Sequence, residues 1–353
     1  MKAFIIILSI FTLSFRLAHV MAQPTFQDNV PLVSTVPIEV HPINLPAIVR
    51  WDVDGDRLEV IEKSREQAEP RLELETWEIS DGTVSDTGVS REFQTVPDTG
   101  SLLTLSPDSA RLATLSSENI VVYETATGSP LFVRQGAPVG FLSWRPDSSQ
   151  FAVVSLSDYF SLDLIDAADG SRVGTYRFFE DALTRPGAVL YNVTWGSATE
   201  FAVISAGDHR ALFNLETNTE SDINDCCTEG AYELEWQPGG RLLATHNQVY
   251  DIDSHQVIFT YPWHTDVYWS VDGQWLLGAV GVELTLISVS EQRVVSHFST
   301  AFLGEDYIVT DVEWSPNGDY VAILTETPSS NNPPETLLSI WDIATLVSQS
   351  AGQ

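Results

Sequence analysis

Asp52-Val53-Asp54-Gly55-Asp56 sets three carboxylates at alternate positions around a glycine. Oxygen donors at that spacing can wrap a calcium ion, with Asp52, Asp54 and Asp56 as the ligands. The glutamate that completes an EF-hand loop is missing from its place. A second group mixes aromatic and acidic side chains: Phe178, Phe179, Glu180 and Asp181, then Trp263 and His264, then Glu305 and Asp306. Aromatics anchor interfaces and carboxylates pair with cationic groups, so these residues form the candidate binding set. Cys226 and Cys227 are the two cysteines and are adjacent, so they cannot staple distant parts of the chain. They close a vicinal disulfide in an oxidising compartment, pair with another chain, or stay as thiols.

Motifs for other chemistry are absent. There is no Gly-x-Ser-x-Gly nucleophile elbow, no His-Glu-x-x-His and no glycine-rich phosphate cradle, and the seven histidines are scattered singly. The chain carries 49 acidic against 17 basic residues, a net charge of -32. Nucleic acid and anionic lipid, which need a basic footprint, are excluded as expected partners.

The elements that position these residues are read from an internal repeat. Val312-Glu313-Trp314-Ser315-Pro316-Asn317-Gly318 is followed by the apolar run Tyr320-Val321-Ala322-Ile323. The same pattern returns at Leu142-Ser143-Trp144-Arg145-Pro146-Asp147 and at Leu234-Glu235-Trp236-Gln237-Pro238-Gly239, with weaker copies at Trp51, Leu105, Trp195 and Trp269. A second column pairs a large apolar residue with a polar one: Trp77-Glu78, Tyr123-Glu124, Ile165-Asp166, Phe213-Asn214, Tyr250-Asp251, Ile287-Ser288 and Trp341-Asp342. From Trp77 to Trp341 the mean interval is about 44 residues, the period of a four-stranded propeller blade. Pro, Gly, Asp and Asn after the Trp set a tight reversal, and the next strand is apolar throughout because blades bury both faces. The acidic run Trp51-Asp52-Val53-Asp54-Gly55-Asp56 falls in register with Trp314-Ser315-Pro316-Asn317-Gly318-Asp319, so an inter-strand turn is the favoured reading there. No cofactor is expected, and calcium is the ion that loop would take. Asn192-Val193-Thr194 matches a glycosylation triplet but falls on an inner strand, where a glycan would disturb packing.

Over about residues 48–343 the chain resembles the WD40 and TolB-like propeller families. Trp341-Asp342 matches the WD dipeptide, and the Trp-x-Pro-Asp/Asn/Gly turns are TolB-like. The Gly-His pair of many WD40 repeats is missing, so the resemblance implies the architecture without that family's His-Asp tetrad in most blades.

The expectation is an all-β, seven-bladed propeller of four-stranded antiparallel blades over residues 48–343, closed by an N-terminal strand within residues 23–47. Val36-Pro37-Ile38-Glu39-Val40 supplies that strand, Leu346 to Ser348 being the alternative, and residues 344–353 form a polar tail. Residues 1–22 read as a signal peptide: Lys2, an apolar run from Ala3 to Phe15, then Val20-Met21-Ala22. This places the mature protein outside the cytoplasm, in the periplasm or at the cell surface, with no later span. The longer connections are Lys63 to Arg71, Arg177 to Gly187, Asp222 to Gly230, Thr260 to Thr265, Thr300 to Asp306 and Thr327 to Glu335. In a meandering blade these share one face. The functional reading is a non-catalytic scaffold that binds a protein or other polymer on that face. The alternatives are a metal-dependent propeller hydrolase or lactonase with an axial carboxylate site, and a small-ligand sensor.

Overall fold

A computed structural model describes residues 39–43, 47–52, 54–63, 72–80, 83–94, 102–116, 119–135, 139–155, 161–177, 190–205, 209–223, 226, 234–262, 264–301, 307–327 and 336–351. Seven four-stranded antiparallel sheets account for the strands; six are meanders of consecutive strands, and the seventh takes its outer strand from the N-terminal segment. The first strands of successive blades touch one another and so ring the axis: Ala47–Trp51, Leu102–Leu105, Val139–Trp144, Leu190–Trp195, Glu235–Trp236, Asp266–Trp269 and Ile308–Trp314. Every residue of the first repeat column is the last residue of one of these inner strands, and every residue of the second column lies in a third strand.

Apolar packing follows the seams. Seven clusters of buried side chains occur among the described residues, one between each pair of neighbouring blades. The Trp column ties the seams together by hydrogen bonds as well. Trp51 Nε1 donates to the Glu313 carbonyl at 3.0 Å, Trp269 Nε1 to the Glu235 carbonyl at 2.9 Å and Trp144 Nε1 to the Thr104 carbonyl at 3.4 Å. In each case the acceptor lies one residue before the column position of the preceding blade. Trp236 departs from this rule and donates to Gly240 within its own turn, at 3.0 Å. Its ring lies over Gly196, where a Cβ would come within 1.9 Å.

The ring closes through the N-terminal strand. Glu39–Ile43 pairs antiparallel with Thr336–Asp342, with Glu39 opposite Ile340 and Ile43 opposite Thr336. Glu39 and Val40 of the expected piece lie in this strand, and Val36, Pro37 and Ile38 lie outside the described residues. Pro42 is tolerated because this is the outer strand of the blade, where one edge of the backbone needs no ladder partner. The C-terminal residues are no polar tail. They form a helix, Ile343–Ala351, with Ile343 and Leu346 buried against Phe298 and Trp341. Asp342 caps it, its Oδ1 accepting from the Thr345 amide at 2.6 Å. Leu346 to Ser348 therefore lie in a helix and add no strand to the blade.

Candidate functional site

The first turn settles what Asp52 does. Its Oδ1 accepts from the amides of Gly55 (2.9 Å), Asp56 (3.2 Å) and Arg57 (3.1 Å), and its Oδ2 from Arg57 Nε (3.0 Å). Partial burial works to raise its pKa, but the hydrogen bonds from Arg57 prevail and hold the carboxyl below the usual range. In blades 6 and 7 a serine takes this place: Ser270 Oγ accepts from the Trp275 amide at 2.9 Å and Ser315 Oγ from the Tyr320 amide at 2.8 Å. Gly55, Gly273 and Gly318 occupy the left-handed position of these turns, at φ of 76°, 67° and 76°. Asp52 is thus a turn residue, while Asp54 and Asp56 face solvent. Among the described residues, no three or more His, Cys, Asp or Glu side chains are arranged to hold a metal ion.

These short turns also brace each other. Arg50 Nη1 donates to the Ser109 carbonyl, the Asp108 amide to Ser148 Oγ at 3.0 Å, and Gln237 Nε2 to the Gly273 carbonyl at 2.8 Å. On the short-turn face, hydrogen bonds thus cross the seams between blades 1 and 2, 2 and 3, and 5 and 6. The second-to-third and fourth-to-first links of the blades leave the opposite ends of these strands; residues 64–71, 178–189, 302–306 and 328–335, in the longer of them, lie outside the described residues.

Of the binding set, Phe178, Phe179, Glu180, Asp181, Trp263, Glu305 and Asp306 lie outside the described residues, as does Cys227. His264, expected on an exposed loop, is fully buried, its ring 5.8 Å from that of Tyr261 and lodged beside Gly278. A side chain so enclosed cannot touch a partner at the surface. Cys226 is disulfide-bonded and buried in the seam between blades 4 and 5, where its carbonyl accepts from Gln248 Nε2.

The structure assembles a group that the sequence reading did not single out. Glu235, Asp266, Asp311 and Glu313 stand on the inner strands of blades 5, 6 and 7, one or three residues before the column tryptophan. At period two those positions share one side of a strand. Blades 1 to 4 carry Arg50, Thr104, Ser143 and Thr194 at the nearer position, and Ile48, Leu102, Phe141 and Asn192 at the farther one. Arg50 is already paired with Glu59. The carboxyls thus gather on three consecutive blades. Burial, with Asp266 and Asp311 nearby, pushes Glu235 up to about 8. Burial also raises Asp311, against the Val312 amide that donates to it at 2.9 Å, and Asp266 adds to the rise. Glu313 is raised well above the usual range by burial and by Asp311. A register shift between Val309 and Asp311 sets the last of these strands, and like shifts occur in blades 3 and 4. Bulges of this kind re-aim the side chains that follow. The result is a group of carboxyls on the strands that ring the axis, in which Glu235, Asp311 and Glu313 are inclined to keep their protons, and a carboxyl poised near neutral can exchange a proton at physiological pH.

Comparison with known proteins returns structures alone. No family model matches the chain. No curated protein matches either. One similar solved structure is a chain of a mitotic checkpoint complex, with 16% identity, a TM-score of 0.59 and coverage of 91% of this chain and 99% of that one. Another is the β-propeller domain of Cps50 (Swd1) from Myceliophteria thermophila, with 14% identity, a TM-score of 0.59 and coverage of 85% and 98%. The architecture is that of a seven-bladed β-propeller with four-stranded antiparallel blades. At such identities the likeness is one of fold, and it brings no partner or activity with it.

Proposed function

We propose that this chain is a non-catalytic, extracytoplasmic scaffold that binds a protein or other polymer on the face of its longer connections. The observation that carries the reading is the inequality of the two faces. One face carries short turns, some of which hydrogen-bond across the seams to the next blade. The other carries the connections that vary in length from blade to blade. A rigid ring that varies its connections on one side is a common way to build a binding surface. The extracytoplasmic location rests on the residue pattern of positions 1–22. The net charge of -32 favours a partner with cationic groups and disfavours nucleic acid.

The test is cross-linking of the purified protein to extracts of its source, with two altered chains beside it. One has residues 178–187 and 302–306 replaced by short Gly-Asn turns; the other carries Asp147→Ala and Asp272→Ala on the short-turn face. Partners retained by the second and lost by the first support the reading. Partners that follow the second chain instead would transfer binding to the other face.

The channel carboxyls favour a second reading, a small-ligand or hydrolytic site at the axis. Against it, protonated carboxyls attract cations weakly, and Glu235 is held near 8. Turnover on a panel of lactones and esters would decide for the axis.

A further inference from the structure

Three imidazoles meet at the seam between blades 5 and 6. His246 comes from the bend between Leu242–Ala244 and Gln248–Asp251 of blade 5, and His297 from the outer strand Arg293–Ser299 of blade 6. His264 stands between them, just before the inner strand of blade 6. All three are buried, at 3%, 6% and 0% exposure respectively. The His264 amide donates to the His246 carbonyl at 2.8 Å, and the next amide, of Thr265, to Ala279 of blade 6 at 2.9 Å. His264 and Thr265 together therefore span the seam. Its ring fills the space that Gly278 leaves open, where a Cβ would approach it within 2.5 Å. His297 Nδ1 lies 3.0 Å from Thr285 Oγ1, and Tyr261, whose hydroxyl donates to the Thr245 carbonyl, covers the blade 5 side.

We propose that the seam between blades 5 and 6 is an acid-sensitive joint, opened when the His264 imidazole gains a charge that its site cannot hold.

The titratable groups that face the ring are Tyr261 and His246 from blade 5 and His297 from blade 6. Asp266, two residues on, belongs to the channel group with Glu235 and Asp311. Burial first, then His297 and His246, lowers His264 from 6.5 to about 3, with the Pro262 carbonyl working in the other direction. In an open seam the ring would regain its ordinary affinity for the proton. One proton is then taken up per opening, so the open population rises about tenfold for each pH unit below 6.5, down to about 3. Buried histidine clusters that charge on acidification switch interfaces by this physics.

Hydrogen exchange of the full chain between pH 7 and pH 4, corrected for intrinsic rates, tests the joint. Amides of residues 245–261 and 265–280 should exchange about tenfold faster per pH unit, while those of residues 150–166 in blade 3 stay protected. His264→Phe and His264→Gln remove the titrating ring, and a folded variant of either kind should lose that slope. A slope that persists in a folded variant, or blade 3 opening in parallel, would overturn the proposal. An NMR titration of the wild-type imidazoles stands apart from variant folding. A His264 ring still neutral at pH 5 while the seam amides are protected supports the joint, and ordinary titration near pH 6.5 in a protected seam refutes it.

Discussion

Both oxygens of Asp52 are engaged, one by three backbone amides and one by Arg57, and this decides the chemistry of its loop. A cation would have to displace those donors from a turn that needs them. Thermal melts in calcium and in chelator should therefore coincide, and a chelator-induced drop of several degrees would restore the metal reading. Asp342 is a similar case. It sits in the WD dipeptide of the repeat, yet here it caps the C-terminal helix. Asp342→Ala should cost about 1 kcal/mol in urea denaturation, against little change for Asp342→Ser, because serine also caps. Sequence alone made the dipeptide visible and the cap invisible. The nine residues that follow carry no basic residue in the last turn and end in Ser, Gln, Ser and Ala, so nothing marked a helix. His264 was misplaced for a different reason. Its burial depends on Gly278, a residue of another strand whose missing side chain makes the room.

At the scale of the strand and turn, the repeat was legible because it is written in large residues. Trp51, Trp144, Trp195, Trp236, Trp269 and Trp314 each end an inner strand, and the turn chemistry behind them is local. The channel carboxyls were less legible although Leu234-Glu235-Trp236 and Val312-Glu313-Trp314 display two of them. Their meaning comes from alignment of inner strands around an axis, and in blade 7 the register shift sets the place of Asp311. Blade 4 shows how one turn answers another blade. Gly196 has no side chain, and the Trp236 ring takes that space and redirects its N–H to Gly240. Gly196→Ala puts a methyl within 1.9 Å of that ring, so the ring must shift. A loss of roughly 1–3 kcal/mol by chemical denaturation is expected. An unchanged midpoint would mean that the indole swings toward the carbonyl of the preceding blade, as in its sister blades, at no net cost.

For the whole molecule, the proton balance sets where the ring is most stable. Glu235 has its pKa raised in the folded state, from 4.5 to about 8. Its stabilising contribution is complete below 4.5 and is lost as the pH rises toward 8, and the raised Asp311 and Glu313 act in the same sense. His264 has its pKa lowered, so its contribution is complete above 6.5 and is lost as the pH falls toward 3. The melting temperature should be highest in mildly acidic solution and fall on both sides. Glu235→Gln, which keeps the shape and removes the charge, should flatten the alkaline side. An alkaline fall of wild-type steepness in that variant would show that Glu235 is not its source.

The pairing of Glu39–Ile43 with Thr336–Asp342 has a consequence for synthesis. The strand that finishes the last blade leaves the ribosome before blades 1 to 6, and its partner leaves after them. Blades 1 to 6 can each form from neighbouring sequence as it emerges, but the ring cannot shut until Thr336–Asp342 has been made. A chain released before Thr336–Asp342 would keep six good blades and still present two open flanks to its surroundings. Completion of the ring is thereby registered in the fold itself: Glu39–Ile43 finds its place when Thr336–Asp342 has been made.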